Sequence, residues 1–372
     1  MASFHIPLEL WEKFASHLSE QRQDLLNLRF VSPESSAAAA TFLFESICLR
    51  MDPQSFQQLT DISRHEILNR CVKVIEYDCS VYEKFECDDG TCPHQVGISE
   101  RKSALDDTLK KFTNLKELKI VANKIVKVLV CRPVNHPGLF DYRSDISLKV
   151  FLLSALSNST QPLHIHACIF PKANWGMESW AVEGQQKGLW CKLEGLTVQE
   201  FYDCKIRPLC RDEGPEIPGL DSILKASVSL KHLRLHRIAP ISKVISRESH
   251  WEFLNSLHLD YLVVSKKLLK AVLSKHKGSL RHLKLTHVKF CEVKNKSWSN
   301  FLRFLREEMC FESFQVDGDF EWVIENEDWQ LRELEYDFGG GEKDESRCAA
   351  YVMKEIDFLC PSKFLPLESK MQ

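Results

Sequence analysis

Apolar residues near the start of the chain have the spacing of short amphipathic helices. From residue 8 to residue 19 they form two neighbouring stripes, Leu8–Trp11–Ala15–Leu18 and Leu10–Phe14–Leu18. After a polar break at 21–24, Asp24 is the expected N-cap of a second helix, and Ser32-Pro33-Glu34 predicts the start of a third helix that runs to Phe44. So small a module cannot bury all of this apolar surface, which indicates that a partner or the rest of the chain covers it.

A different pattern begins after residue 70, where a six-residue phrase has apolar residues at its first, fourth and sixth positions. Clear copies begin at residues 115, 193, 230, 254, 280, 311 and 331, and weaker copies begin at 72 and 160. The last five starts are 24, 26, 31 and 20 residues apart, whereas the earlier starts are 43, 45, 33 and 37 residues apart. The longer spacing predicts insertions, and turn residues place them at 79–100, 131–144 and 171–191.

The phrase is the L-x-x-L-x-L strand signature of leucine-rich repeats, which recur every ~20–29 residues. Helical stretches at 104–112, 265–276 and 297–308 separate the predicted strands. This alternation predicts an α/β fold, a solenoid with a curved parallel sheet inside and helices outside. A further helix over 346–359 would close its end. The alternative is a generic α/β domain in which the leucine spacing arose by chance.

The helical start resembles an F-box. The resemblance is carried by Ile6-Pro7-Leu8-Glu9-Leu10-Trp11, Leu18, Asp24-Leu25-Leu26, Leu28-Arg29 and Val31-Ser32. Residues 43–50 and the junction at Asp52-Pro53 are similar to those of filamentous-fungal members. Two features depart from the family pattern: Ile6 replaces a leucine, and Pro33 with Ala37–Ala40 replaces basic and bulky aromatic residues. An ordinary helical cap on a solenoid is the alternative.

The resemblance implies a division into an F-box (1–50), a leucine-rich-repeat solenoid with insertions in its N-terminal half (51–345), and a C-terminal cap helix with a tail (346–372). In that family the F-box binds a SKP-type adaptor, which attaches the receptor to the cullin and RING subunits of a ubiquitin ligase. The implied function is therefore a non-catalytic substrate-recognition subunit of an SCF-type ligase. The implied adaptor contacts are Pro7, Leu8, Trp11, Leu18, Leu25, Leu26, Leu28 and Val31.

Two other functions stay open at this point. An F-box protein can act as a scaffold that uses the adaptor outside a ubiquitin ligase. A leucine-rich-repeat interaction or inhibitor protein would use the N-terminal helices only as a cap.

Strand alternation also predicts which side chains meet a protein substrate. The fourth and sixth residues of each phrase point into the core, so the residues between and beside them face outward. These are His232, Arg234, His236, Ser256, His258, Asp260, His282, Lys284 and Thr286, with Glu333 and Glu335 at an acidic end. Such a basic, histidine-rich patch suits an acidic or phosphorylated segment, bound more tightly toward pH 6. The alternatives are an ordinary solvated face, or recognition by the insertions through Trp175, Trp180 and Trp190.

Composition narrows the class of protein. The 372 residues are 44% hydrophobic and 27% charged with a formal net charge of −3, which is typical of a globular protein and favours neither nucleic acid nor membrane as a partner. The chain has no apolar run of the ~20 residues that span a bilayer, and its N-terminus lacks the basic start and continuous apolar core of a signal peptide, so a cytoplasmic or nuclear location is expected. The 14 scattered cysteines, among them Cys48, Cys71, Cys168 and Cys310, predict buried free thiols.

No motif of cofactor or catalytic chemistry is found, so neither is predicted. The sequence lacks a nucleophile elbow, a phosphate-binding loop, a dinucleotide fingerprint and H-E-x-x-H, and Gly339-Gly340-Gly341 has the character of a linker. Cys79, Cys87, Cys92 and His94 offer a zinc site, but no clean second pair follows the first. A polar surface insertion without metal is the favoured interpretation of that segment.

Overall fold

The computed structural model describes residues 6–50, 53–78, 98–121, 151–169, 187–200, 220–238, 241–291, 297–317, 320–324, 332–336 and 353. The chain divides into two compact units, Met1–Cys168 and Ile169–Gln372. This division lies within the segment that was expected to be one solenoid, 51–345. Outside the described residues lie the insertion at 131–144, the four candidate zinc ligands and, apart from residue 353, the predicted closing helix at 346–359.

The first unit begins with three short helices, which we call the helical module: α1 Leu8–His17, α2 Arg22–Leu28 and α3 Pro33–Leu43. Helix α3 has the predicted N-terminus, with Ser32 and Ser35 in a reciprocal capping box and Pro33 in the first turn. Helix α2 differs from the prediction, because its N-cap is Gln21. The backbone N–H of Asp24 donates to the Gln21 carbonyl at 3.0 Å, so Asp24 lies inside the first turn.

The helical module has a core of its own. Five buried side chains form it, from all three helices: Ala15, Leu25, Ala38, Ala39 and Leu43. Three of the five are alanines, whose small side chains allow close approach of the helices; this explains the alanine run that departs from the F-box pattern. Half-buried apolar residues, among them Trp11 and Leu18, pack around this core.

A parallel sheet and its helices complete the first unit. The elements are β1 Ser46–Arg50, α4 Pro53–Arg64, α5 Leu68–Cys71, β2 Val74–Asp78, α6 Ile98–Leu109, β3 Glu117–Val121, α7 over residues 151–158, and β4 Leu163–Ile169. The strands pair in parallel in sequence order, β1-β2-β3-β4. Strand β1 lies within the segment assigned to the F-box and was not predicted as a strand, although residues 44–49, Phe-Glu-Ser-Ile-Cys-Leu, fit the repeated phrase.

The second unit repeats this arrangement. Its elements are α8 Lys187–Trp190, β5 Leu193–Glu200, α9 Leu220–Ala226, β6 His232–His236, α10 Ile241–Val244, β7 Ser256–Asp260, β8 Val263–Val264, α11 Lys266–Lys275, β9 His282–Thr286, β10 Lys289–Phe290, α12 Ser297–Glu308, β11 Ser313–Asp317, β12 Phe320–Ile324 and β13 Arg332–Tyr336. Strands β5, β6, β7, β9 and β11 pair in parallel in that order. Strands β8 and β10 form a second, short parallel pair. The predicted α/β class is confirmed.

The repeated phrase explains why these strands form. Its first, fourth and sixth residues are buried in successive copies, as for Leu230, Leu233 and Leu235, each at most 1% exposed. The intervening residues lie on the other face of the sheet. Three residues after the sixth position, where the repeat consensus has Asn or Cys, this chain has Ile238, Leu262 and Val288, all at most 2% exposed. At this position of the repeat, buried apolar side chains take the place of the Asn or Cys of the consensus.

Three predictions about the edges of the repeats are wrong. Strand β13 pairs antiparallel with β12, so Glu333 and Glu335 do not extend the parallel sheet. Helix α6 begins at Ile98, inside the predicted insertion 79–100, and α8 occupies 187–190 of the insertion 171–191. Trp190 is 3% exposed, so its ring packs inside the unit. Trp175 and Trp180 lie outside the described residues.

The cysteines differ in part from the prediction of buried thiols. Cys48, Cys71 and Cys310 are free; Cys71 is buried, whereas Cys48 and Cys310 are exposed. Cys48 lies on β1 between the inward-facing Ile47 and Leu49, which places it on the opposite face. In the described ranges, no helix is both long and apolar enough to cross a bilayer.

A buried histidine–tryptophan pair ties three elements of the second unit together. Trp251 donates its indole N–H to the Leu224 carbonyl at 2.8 Å and its backbone N–H to His276 Nε2 at 2.9 Å. Because Nε2 accepts a hydrogen bond, His276 is neutral, and its Nδ1–H donates to the Val272 carbonyl at 2.7 Å. Burial lowers the pKa of His276, which the bond to Val272 offsets only in part.

This pair predicts how stability depends on pH. The unfolded chain protonates His276 near its ordinary pKa of 6.5, whereas the folded chain resists protonation at that pH. The contribution to stability is therefore fully present above pH 6.5 and is lost as the pH falls toward the lowered pKa. Urea unfolding of the wild type should give a lower free energy at pH 5.5 than at pH 7.5. His276→Gln, which cannot titrate, should show a smaller difference; an equal difference in both proteins would contradict the prediction.

Candidate functional site

The helical module exposes most of the large apolar side chains that lie at the surface of the described residues. Five of the eight belong to it, and we call them the apolar set: Leu8 (42% exposed), Leu10 (46%), Phe14 (52%), Phe30 (89%) and Val31 (62%). The other three are Ile67, Val228 and Phe253. Since scattered single apolar residues are normal on a surface, it is the concentration in one short module that makes the apolar set a candidate contact surface.

The eight predicted adaptor contacts divide into three groups. Pro7, Leu8 and Val31 are exposed. Four others pack against the module core while remaining half-buried: Trp11, Leu18, Leu26 and Leu28. Leu25 is 1% exposed and belongs to the core itself, so it holds the helices together and cannot reach a partner directly.

Sequence reasoning left three members of the apolar set out of the predicted contacts. Leu10 and Phe14 are spaced i, i+4 on α1, and the Phe14 ring contacts the Trp11 ring edge-on with centroids 5.9 Å apart. That spacing was the signal that could have added them. Phe30 follows the end of α2, where the helical period no longer applies, and no sequence pattern marked it as exposed.

The predicted substrate residues lie on one face of the sheet in the second unit. Strand register aligns them in three rows across β6, β7 and β9: His232–Ser256–His282, Arg234–His258–Lys284 and His236–Asp260–Thr286. The residues between the rows, such as Leu233 and Leu235, are buried on the opposite face. The structure therefore brings all six predicted contacts together, and we call this surface the histidine face.

The third row is more buried than predicted. Asp260 is 6% exposed, and its Oδ2 lies 2.6 Å from His236 Nδ1 and 3.7 Å from Arg234 Nη2. Its Oδ1 has no hydrogen-bond partner among the residues that the structure describes. His236 is itself mostly covered, with 14% of its side chain exposed. Arg234 and His282, with 49% and 44% of their side chains exposed, present the polar surface of the face.

His258, at the centre of the face, does not behave as a pH sensor near pH 6. Burial lowers its pKa to about 4, and the positive charges of Arg234 and Lys284 act in the same direction. Its Nε2 lies 3.4 Å from the Thr286 hydroxyl. At pH 6 this ring is neutral, so the predicted gain of binding toward pH 6 does not come from His258.

A strip of larger side chains borders the histidine face where the strands end. Arg237, Tyr261 and His287 follow β6, β7 and β9 with positive φ angles of 56°, 51° and 48°. Each backbone N–H donates to the carbonyl of the last residue of the next strand at 2.8 Å. The Arg237 guanidinium lies 4.9 Å from the Tyr261 ring centroid, and the Tyr261 and His287 rings stack at 4.2 Å. The hydrogen bonds and stacking offset the cost of the left-handed backbone.

The described ranges contain no group of three or more His, Cys, Asp or Glu side chains that could hold a metal ion.

Comparison with known proteins supplies no family: no family model matches the chain, and no curated protein matches it in sequence. The two surfaces are therefore interpreted from their own residues.

Proposed function

We propose that this chain is the substrate-recognition subunit of an SCF-type cullin–RING ubiquitin ligase. In this proposal the helical module is an F-box that binds a SKP-type adaptor, and the second unit, as part of a leucine-rich-repeat solenoid, binds the substrate. The chain itself carries out no catalysis and acts in the cytosol or nucleus. The observation that carries the proposal is the apolar set, which stays exposed on a module whose own core is already complete.

The energetics of that surface support a protein partner. Full burial of an exposed Leu, Phe or Val contributes about 1.5–3 kcal/mol, so covering five such residues offsets several kcal/mol of association cost. A micromolar complex requires about 8 kcal/mol net. The half-buried side chains around the set, among them Trp11 and Leu28, add contact area at its margin. Aromatic residues are favoured at the centre of such interfaces.

The arrangement of the sheet supports a receptor role for the rest of the chain. Along β6, β7 and β9 buried leucines alternate with side chains on the other face of the sheet, and those side chains are polar rather than apolar. A polar, register-aligned surface of this kind suits recognition of another chain. None of its residues belongs to the helical module, so the adaptor and the substrate would bind through different residues.

Direct binding of the purified chain to a purified fungal SKP-type adaptor tests the proposal. The two should elute together in size-exclusion chromatography as a one-to-one complex. If the adaptor elutes alone at micromolar concentrations while circular dichroism shows a folded chain, the helical module is a cap and the proposal fails.

A further inference from the structure

We propose that the row Arg234–His258–Lys284 on the histidine face binds an oxyanion carried by a peptide side chain, either a phosphoryl group or a carboxylate. The inference rests on the proposed function in one respect, namely that the peptide belongs to the substrate. It names the chemistry of that substrate and the residues that recognise it.

The outward-facing residues on the strands of the first unit differ in charge pairing from those on the strands of the second unit. In the first unit each cation on the described strands has a carboxylate beside it: Arg50 lies 3.6 Å from Asp78, and Lys119 lies 3.6 Å from Glu117. In the second unit Lys284 forms no ion pair with any residue that the structure describes. An unpaired cation on a sheet face is available to an incoming anion.

Arg234 is also available, although Asp260 lies near it. The Asp260 carboxylate is 6% exposed and makes its short contact, 2.6 Å, with His236, whereas Arg234 is at 3.7 Å. The acid therefore lies beneath the surface and is shared between two basic groups. Half of the Arg234 side chain remains exposed above it, and a guanidinium has five N–H donors in a planar fork. Its outer edge can still pair with a carboxylate or phosphate.

The spacing of the row fits a single oxyanion. Register places Arg234 opposite His258 and His258 opposite Lys284. Because neighbouring strands lie about 4.8 Å apart, the Arg234 and Lys284 backbones are separated by about 10 Å. Both side chains are long enough to meet above His258. A bidentate guanidinium and a mobile ammonium would then hold the anion from two sides.

The neutral ring of His258 lies between the two cations in the row. Burial lowers its pKa to about 4, so at neutral pH the ring carries no charge that would have to be desolvated when a ligand covers it. A neutral imidazole has one N–H, which can donate a hydrogen bond to an oxyanion. The uncharged ring also provides a flat surface for the backbone of an extended peptide.

The flanking strands confine the positive charge. On β5 the outward residues are Gly195, Thr197 and Gln199, and on β11 they are Ser313, Gln315 and Asp317. At the strand starts, Lys231 pairs with Glu194 at 2.6 Å, and Glu312 lies 3.8 Å from His282 Nε2. A nucleic acid would need several phosphate contacts along a continuous basic track. The confined patch instead fits one or two anionic side chains on a peptide.

The test uses the full chain and three fluorescein-labelled peptide pools with randomised flanking positions and a central phosphoserine, glutamate or serine. Fluorescence anisotropy should show tighter binding of an anionic pool than of the serine pool. Charge-assisted hydrogen bonds predict that Arg234→Gln with Lys284→Gln weakens that binding by about 10- to 100-fold. The matched control is Lys119→Gln, on the outward face of the first unit, which should leave binding unchanged.

The outcomes separate the sources of the anion. Preference for phosphoserine alone assigns a phosphorylated substrate, and equal binding of the glutamate pool assigns an acidic one. Equal binding of all three pools, or an anionic pool that the double variant binds as the wild type does, overturns the inference. Binding of a single-stranded RNA that depends on Arg234 and Lys284, without peptide binding, overturns it in favour of nucleic acid. Adaptor binding measured on the same samples tests the proposed function separately.

Discussion

The double variant Leu8→Asp with Val31→Asp is expected to weaken binding of a SKP-type adaptor by at least about 100-fold. Both side chains are exposed, at 42% and 62%, so the substitutions leave the core of the helical module intact. In a complex, however, each aspartate would be desolvated without a partner. Burying an unpaired carboxylate costs several kcal/mol, and about 2.7 kcal/mol corresponds to 100-fold in affinity.

Two further variants show whether the loss comes from the surface. Phe253→Asp replaces an apolar residue of similar exposure, 53%, in the second unit, and should bind adaptor as the wild type does. Leu25→Asp places a carboxylate in the module core, so it should lose binding together with helical circular dichroism. Calorimetric titration with purified adaptor measures all four proteins. Wild-type affinity of the folded double variant would remove the apolar set from the interface.

Trp251→Ala is expected to lower the free energy of unfolding of the second unit by about 3–5 kcal/mol. The ring is 1% exposed and stacks on His276 with centroids 5.4 Å apart. Its removal leaves a large cavity and deprives the Leu224 carbonyl of the indole N–H that it accepts at 2.8 Å. The backbone N–H that donates to His276 remains, so the histidine keeps that partner.

The neighbouring residue Phe253 provides the matched control for this prediction. Its ring is 53% exposed, so Phe253→Ala should cost about 1 kcal/mol or less. Urea unfolding followed by circular dichroism gives both free energies. A loss below about 1 kcal/mol for Trp251→Ala would show that the pair with His276 does not hold these elements together.

The repeated phrase made the parallel strands predictable, because each strand buries the same positions of a short pattern. Leu233, Leu257 and Leu283 are fourth residues of their copies, and each is 1% exposed. The rows of the histidine face followed from the same alternation, since a period of two fixes which side chains share a face. Strand β1 was missed although it fits the phrase, because its copy overlaps the end of the helical resemblance.

The pattern of polar and apolar positions could not predict which members of each set are buried and which are exposed. Leu25 and Val31 both belong to the apolar positions of one short segment, yet Leu25 is 1% exposed and Val31 is 62% exposed. Leu25 lies on the side of α2 that packs into the module core, whereas Val31 lies in the turn between α2 and α3. Likewise Asp260 was expected to face outward with its row, but its contact with His236 draws the carboxylate beneath the surface. The lowered pKa of His258 arises first from burial of its ring, which the pattern also does not show.

The partner of β13 depended on a contact that its own sequence does not specify. Residues 331–336, Leu-Arg-Glu-Leu-Glu-Tyr, fit the phrase as well as the copies in the parallel sheet do. Strand β12 follows β11 after two residues, and β13 pairs with it antiparallel in place of β11. Local pattern defines a strand, whereas its partner is set by the competing strands nearby.

Co-purification of a ubiquitin ligase tests the central claim most directly. The tagged chain, expressed in a filamentous fungus and isolated with its partners, should retain the SKP-type adaptor together with cullin and RING subunits, and Leu8→Asp with Val31→Asp should lose all three. Retention of the adaptor without cullin would indicate a scaffold outside the ligase. If the wild-type chain retains none of these subunits while its helical module is folded, the chain is an interaction protein and the account is contradicted.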